Sequence, residues 1–191
     1  MKIFDLDSPL MNVLNKMADL MWLNILTLIC CIPIITAGAA FTSMHYVALK
    51  IVRNEESYIT RSFFKSFKTN FLQATLIWLM LLAVAAVLGG DYYIITRSGM
   101  EFSKVLIVLI MAAGVLVICT SLYVFPVLAK FDNTIMGTIR NAFIMSILQL
   151  PKTLVMLVMA FFPLIIYLVS LRLIPIIFLF GLSLPAYASA M

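Results

Sequence analysis

The sequence predicts an all-α integral membrane bundle of five transmembrane helices with amphipathic interfacial helices. Apolar residues make up 64% of the 191 residues and charged residues only 11%, whereas about a quarter of a soluble domain is charged. The mean hydropathy is +1.15. The apolar residues also form runs long enough to cross about 30 Å of hydrocarbon as a helix. We therefore treat residues 1–191 as a single transmembrane domain.

The first predicted element is an interfacial helix over residues 9–19, which leads into a span over about residues 20–41. Ser8 is a typical N-cap, and Pro9 suits the first helical position. Pro33 lies within the span and lacks an amide donor, so we expect a kink there.

The second span is predicted at about residues 71–93, where a Gly pair, Asp91 and two Tyr mark the membrane boundary. The third is predicted at about residues 105–128. The run from Pro151 to the last residue is about twice the length that one crossing needs. We expect it to fold back near Arg172, which gives a fourth span at about 152–170 and a fifth at about 175–190.

A cytoplasmic interfacial helix is predicted at about residues 57–70. The stretch 57–71 has the densest positive charge of the chain and four Phe residues. At 100° per residue, Phe63, Phe67 and Phe71 form one stripe with Phe64 beside it. Arg61, Lys65 and Lys68 fall on the next face. Such a helix suits the inner leaflet, with rings in the acyl boundary and cations near anionic headgroups. The pattern leaves open whether the Phe face meets lipid or a partner protein.

A second interfacial helix, at about residues 133–149, has the same pattern displaced by 76 positions. Its stripe is Ile135, Ile139, Phe143 and Ile147, and its small residues Thr138, Ala142 and Ser146 correspond to Ser62, Ser66 and Asn70. "TSMHYV" at residue 42 and "TSLYV" at residue 120 also correspond. Two interpretations stay open. One is a parallel internal repeat, and the other is two independent amphipathic helices that each lead into a span.

The distribution of Lys and Arg predicts the orientation of the five spans. Eight lie on the side of the two long loops and five on the other side. Because basic residues are enriched in cytoplasmic loops, we expect the N-terminus outside and the C-terminus in the cytoplasm. We assign the net charge of +5 to this orientation rather than to nucleic-acid binding.

The sequence lacks the side-chain groupings that enzymes use. His45 has no partner at zinc-binding spacing, so we interpret it as a boundary residue and expect no metal, no cofactor and no catalytic site. Glu55 and Glu56 are interpreted as a helix cap or salt-bridge cluster. The polar candidates within the spans are Asn24, Thr27, Thr120 and Ser121. Such residues ordinarily form hydrogen bonds between helices or to a backbone carbonyl.

One long segment resembles the YesL family of small multi-span membrane proteins of Gram-positive bacteria, many of unknown function. It is "LICCIPIITAGAAFTSMHYVALKIVRNEESYITRSFFKSFKTNFLQATLIWL". The shared pattern includes Pro33, Thr36, Gly38, Arg53 and the run from Ser62 to Phe71. "AKFDNTIMGTIRNAF" and "LPAY" resemble later landmarks of the family, so the resemblance covers nearly the whole chain.

The resemblance implies an accessory role in the bacterial cell membrane, because family members are often encoded beside ABC-type carbohydrate uptake systems. We therefore expect a non-enzymatic accessory or assembly partner of such a system. The alternative is a small oligomeric transporter that acts by itself. The expected contact residues for partner or lipid are Phe63, Phe64, Phe67, Phe71, Arg61, Lys65, Lys68, Glu55 and Glu56.

Overall fold

The computed structural model describes residues 9–55, 58–98, 103–169 and 181–191, and these ranges contain helices and short turns without any strand. The helices are α1 (Pro9–Cys31), α2 (Ala37–Val52), α3 (Ile59–Ser98), α4 (Ser103–Lys130), α5 (Ile135–Leu148), α6 (Leu150–Val169) and α7 (Ser183–Ala190). Segments long and apolar enough to cross a membrane lie in α1, in α2 together with the turn before it (Ile34–Val52), in α3 and in α4, and α5 with α6 forms a fifth if the bent pair is one span. The predicted all-α, membrane-type bundle is confirmed at this level.

The predicted single span over residues 20–41 is wrong, because two helices share that segment. The first, α1, ends at Cys31 and α2 begins at Ala37, with a short 3-10 turn at Ile34–Thr36 between them. Pro33 supplies no amide donor and disfavours helix at the residue before it. The helix therefore ends at this point, instead of continuing with a kink.

Two tryptophan hydrogen bonds show that the chain reverses between α1 and α2. Trp22 Nε1 donates to Thr60 Oγ1 at 2.9 Å, and Trp78 Nε1 donates to the carbonyl oxygen of Ile34 at 2.8 Å. Thr60 and Trp78 are about 27 Å apart along α3. Hence α1 runs along α3 from its beginning towards Trp78, and α2 returns. We call this pair the α1–α2 hairpin.

The backbone of the hairpin turn is satisfied from within the protein. The hydroxyl of Thr36 donates to the carbonyl oxygen of Cys30 at 2.6 Å. The amide of Thr36 donates to the carbonyl oxygen of Pro33 at 3.0 Å. The Trp78 indole supplies a further donor to Ile34. These bonds occupy the Cys30 carbonyl, which the end of α1 would otherwise leave unpaired, and two carbonyls of the turn itself.

Gly38 lets α2 approach α3 more closely than any other residue would permit. A Cβ atom at this position would lie 2.6 Å from the carbonyl oxygen of Ala74 and 2.6 Å from the Cβ atom of Trp78. Both distances are far inside van der Waals contact. Ala39 and Ala40 beside it, and Ala74 opposite, are fully buried. Small residues on both helices thus allow the backbones to pack together, as is common in membrane helix pairs.

Residues 59–98 form one uninterrupted helix, so the predicted interfacial helix at about 57–70 and the predicted span at about 71–93 are continuous with each other. The 40 residues of α3 make a rod of about 60 Å, twice the thickness of the hydrocarbon core. No Gly or Pro occurs between Ile59 and Leu88 to interrupt it. The predicted span over residues 71–93 is the second half of this rod.

The predicted span over 105–128 lies within α4, and α5 and α6 follow it. The axes of α5 and α6 differ by 103° at a break beside Gln149, where Pro151 suits the first turn of the new helix. Most of the predicted fourth span lies in α6. Residues 170–180, including Arg172 and the beginning of the predicted fifth span, lie outside the described residues.

Two buried clusters form the core. The first joins the α1–α2 hairpin to the beginning of α3, with Leu23, Val47 and Phe63 fully buried and Ala186 of α7 beside them. The second joins α2 and the middle of α3 to α4 and α5 through small side chains such as Ala74 and Ala142. The first half of α3 is therefore enclosed by its neighbours.

The second half of α3 and the first half of α4 have little protein around them. From residue 83 to 97 and from 104 to 119, nearly every described side chain is exposed or only partly buried. Most of these side chains are apolar, which favours contact with lipid or with another membrane protein. We call residues 83–97 and 104–119 the exposed hairpin.

We predict that Gly38→Ala destabilises the protein, because the added Cβ forces α2 away from Ala74 and Trp78. Overpacking of this kind costs about 1–3 kcal/mol. The measurement is the midpoint of thermal unfolding in detergent. Gly90→Ala is the matched control, since a Cβ there meets nothing within 4 Å and removal of a helical Gly stabilises by up to about 1 kcal/mol. Equal midpoints for the two variants would contradict the close approach.

Candidate functional site

The predicted aromatic stripe of α3 is divided between the core and the surface. Phe63 is 0% exposed and packs against α1 and α2, whereas Phe64 and Phe71 are 40% and 38% exposed. Phe67 is partly buried and stacks on Phe63 with ring centroids 6.1 Å apart. The expectation of an exposed Phe face is therefore wrong for Phe63. The reason is α2, which returns along α3 and covers this residue.

The basic face of the stripe helix is exposed as its spacing suggested. Arg61, Lys65 and Lys68 are all exposed on α3. Within the described residues the structure shows an ion pair for none of them, and Arg53 and Glu55 in the α2–α3 loop form the ion pair that is present, at 3.7 Å. Both partners are about half exposed, so the pair contributes about 0–1 kcal/mol. Glu56 lies outside the described residues.

The small polar rows of α3 and α5 face the core. Ser62 and Ser66 of α3 are buried, and so are Thr138, Ala142 and Ser146 of α5. These rows bring each helix into contact with the rest of the bundle, together with Phe63 of α3 and Ile139 of α5 from the two stripes. Phe143 and Ile147 of α5 are exposed.

Polar residues inside the apolar helices form hydrogen bonds within the protein, as predicted. The hydroxyls of Thr27 and Thr120 donate to the carbonyl oxygens four residues earlier, at 2.8 and 2.7 Å. The Ser121 hydroxyl donates to Ile118 at 2.7 Å. These groups are thus satisfied locally.

Asn24 is different, because it joins α1 to the beginning of α7. Its Oδ1 accepts hydrogen bonds from the amides of Leu182 and Ser183, at 2.9 and 3.1 Å, and the residue is fully buried. These amides belong to the unpaired donors at a helix start. One side chain therefore fixes where α7 begins. The sequence analysis named Asn24 as a candidate for bonding between helices, and this interpretation is confirmed.

A cavity of about 270 Å³ lies between α2, α4, α6 and α7. Phe41, Trp78 and Phe125 contact one another along its wall, with ring centroids 5.7 to 6.1 Å apart. His45 and Ser189 are polar groups of the lining. The lining is otherwise mainly apolar, so the cavity offers few hydrogen-bond partners to a polar solute.

A second cavity, of about 250 Å³, lies towards the end of α4 and is lined by Lys130 and Gln149 among others. His45 and Ser189 line this cavity as well, and the Ser189 Oγ lies 3.5 Å from His45 Nδ1. The pair therefore stands between the two cavities. The sequence analysis placed His45 at a boundary and missed this role, because the partner is 144 residues away.

Metal-ligating clusters are not found in the part of the chain that the structure describes. No three His, Cys, Asp or Glu residues there come together in a way that could hold an ion. The three cysteines Cys30, Cys31 and Cys119 are unpaired thiols and partly buried.

Comparison with known families gives one match. Residues 20–92 match the model of a family described as "Protein of unknown function, DUF624". The matched segment begins within α1 and ends within α3, so it contains the α1–α2 hairpin and its contact with α3. No curated protein and no solved structure gives a significant match to the chain.

We predict that Asn24→Leu releases α7 from α1, because two buried amides lose their acceptor. An unsatisfied buried group costs about 1–3 kcal/mol. Hydrogen exchange at residues 182–190 measures the effect and should accelerate strongly. Asn15→Leu, on the exposed face of α1, is the matched control. Unchanged exchange in Asn24→Leu would show that other contacts hold α7.

Proposed function

We propose that this chain is a non-enzymatic accessory or assembly partner of an ABC-type carbohydrate uptake system in the bacterial cell membrane. The resemblance to the YesL family motivates the proposal, and the match of residues 20–92 to a family of unknown function is consistent with it. The observation that carries it is the exposed hairpin. A subunit that works through contacts needs such an unoccupied apolar surface.

The exposed hairpin has the small residues that close helix packing requires. Gly89 and Gly90 of α3 and Gly114 of α4 have no atom within 4 Å of the position that a Cβ would take. Ala85 and Gly89 have the four-residue spacing that lets backbones approach. The surface thus resembles one half of a helix-packing contact, and the helix of a transporter subunit would complete it.

A small oligomeric transporter is the alternative, and the two cavities favour it. They share His45 and Ser189, and together they lead from the aromatic cavity towards Lys130 at the end of α4. A solute that passed between them would have to separate this pair. The apolar lining of the first cavity disfavours a carbohydrate, because buried hydroxyls without partners are costly.

We further propose a membrane orientation with the N-terminus in the cytoplasm. The α1–α2 hairpin begins and ends at the end of the bundle where α3 begins. Eight of the described Lys and Arg residues lie towards this end, namely Lys16, Lys50, Arg53, Arg61, Lys65, Lys68, Lys130 and Lys152, against Arg97 and Lys104 at the other end. Arg140 lies between the two ends, beside Leu81 and Val84 of α3. Lys2 and Arg172 lie outside the described residues. The excess of basic residues at this end is larger than the eight against five counted with residues 20–41 as one span. It supports a cytoplasmic position for the end of the bundle where α3 begins.

The hairpin turn supports the same orientation. Ile32, Ile34 and Ile35 are exposed by 78%, 70% and 58%, which is unusual for a turn in water but suits hydrocarbon. Irregular backbone at membrane depth requires internal hydrogen bonds, and Thr36 and Trp78 provide them. The turn therefore points into the bilayer and both hairpin ends face the cytoplasm.

We also propose that α2 with the beginning of α3 and α4 with α5 are copies of one unit. The Thr-Ser pairs of α2 and α4 correspond at a displacement of 78, and the polar rows of α3 and α5 at 76. The loop after α2 has six residues, 53–58, and the loop after α4 has four, 131–134. The second loop is two residues shorter, which accounts for the change in displacement from 78 to 76. Buried small residues at corresponding positions give further support.

We predict that Gly89→Leu reduces co-purification of transporter subunits at least about tenfold, the equivalent of about 1.4 kcal/mol, because the new side chain holds a partner helix away. Affinity purification from native membranes followed by mass spectrometry measures this. Ala18→Leu, on an exposed part of α1, is the control.

Two results would count against the partner proposal. One is purification of the unmodified protein without any transporter subunit. The other is transport of a sugar by the purified protein alone in liposomes, which would favour the alternative. Thermal unfolding of Gly89→Leu should match that of the unmodified protein, which separates lost contact from lost folding.

We predict that Asn15→Cys and Tyr58→Cys react with a membrane-impermeant maleimide only after cells are opened, whereas Thr96→Cys reacts in intact cells. All three positions are exposed, and Cys30, Cys31 and Cys119 are replaced by Ala beforehand. Labelling of Asn15→Cys but not Tyr58→Cys in intact cells would contradict the cytoplasmic N-terminus and restore the single-span arrangement.

A further inference from the structure

A groove of about 380 Å³ lies on the bundle surface between α3, α4 and α5. Leu81 and Val84 of α3, Leu116 and Val117 of α4 and Phe143 of α5 line it. It is separate from the cavities that contain His45. Its volume is within the range of small-molecule sites, about 300–1,000 Å³.

Arg140 is the charged residue of this lining. It is exposed on α5, and none of the ion pairs or hydrogen bonds within the described residues involves it. Thr120 is the other polar residue, and its hydroxyl already donates to the Leu116 carbonyl at 2.7 Å. The groove therefore offers a long apolar surface and one unpaired guanidinium.

We propose that an anionic phospholipid occupies this groove, with an acyl chain along α3 and α4 and its phosphate at Arg140. A guanidinium binds phosphate oxygens through two parallel hydrogen bonds, and its positive charge favours a headgroup with a net negative charge. A basic residue between membrane helices is suited to such a headgroup. The orientation of α5 agrees, since its 103° angle to α6 lays it across the direction of a membrane-crossing helix.

Other occupants fit the groove less well. A soluble polar molecule would find one donor group and leave its other polar atoms unpaired against apolar walls. A packed apolar helix would bury Arg140 without a counter-charge, which is costly. A phospholipid satisfies both parts of the surface, because its chain is apolar and its phosphate can remain at the interface where a long Arg side chain reaches.

Native mass spectrometry of the full chain in detergent tests the proposal, with phosphatidylglycerol and phosphatidylcholine as probes. The unmodified protein should retain one phosphatidylglycerol in preference to phosphatidylcholine. Arg140→Gln should bind phosphatidylglycerol at least about fivefold more weakly, with a smaller loss for phosphatidylcholine, whose choline cation offsets the charge of its phosphate. Lys65→Gln, which removes an exposed cation of α3 outside the groove, should bind as the unmodified protein does.

The proposed contact between the acyl chain and the groove is tested separately. Val117→Trp fills the groove and should weaken phosphatidylglycerol binding, whereas Val108→Trp on the exposed part of α4 should not. Glycerol phosphate, which has no chain, should fail to compete. Equal binding by Arg140→Gln and the unmodified protein would overturn the proposal. Full competition by glycerol phosphate would overturn the role of the chain. Unchanged thermal unfolding confirms that each variant is folded.

Discussion

The approach of Gly38 to Ala74 and Trp78 is the contact on which the rest of the bundle depends. It brings α2 against α3, and this places the carbonyl of Ile34 within reach of the Trp78 indole. The turn between α1 and α2 is thereby fixed in a segment where Pro33 prevents a continuous helix. Any larger residue at position 38 would separate the helices and remove the support of the turn. The pattern Pro-Ile-x-Thr-x-Gly-Ala therefore encodes a hairpin and its docking surface.

The docked hairpin then organises the more distant elements. Because α1 lies beside α2, Asn24 can hold the beginning of α7, and α7 in turn places Ser189 next to His45 between the two cavities. The enclosed half of α3 carries the polar row, the aromatic residues and the cations, whereas the half beyond Trp78 has only α4 beside it for most of its length. One long helix thus divides the molecule into a packed end rich in cations and an apolar end free for lipid or a partner.

The sequence predicted the long apolar segments of α3 and α4, because burial in lipid requires apolar residues on every side. It failed at residues 20–41, because an apolar run has the same composition whether it continues or reverses. Pro33 indicates an interruption but not its angle. Likewise, the spacing of Phe63 and Phe67 correctly predicted that they share one face of α3. Their burial depends on α2, whose position is set by tertiary packing and cannot be read from the spacing. Asn24 was recognisable as a polar residue in an apolar run, whereas its partners in α7 were not.

The central claim is that the α1–α2 hairpin reverses direction and docks on the first half of α3. Distances between paired spin labels test it most directly, with labels at the exposed positions Val13, Ile35 and Asn54. A hairpin places position 13 nearer to position 54 than to position 35, because the turn is about 30 Å along α1 from position 13. A distance from 13 to 54 that exceeds the distance from 13 to 35 would contradict the reversal and the orientation derived from it.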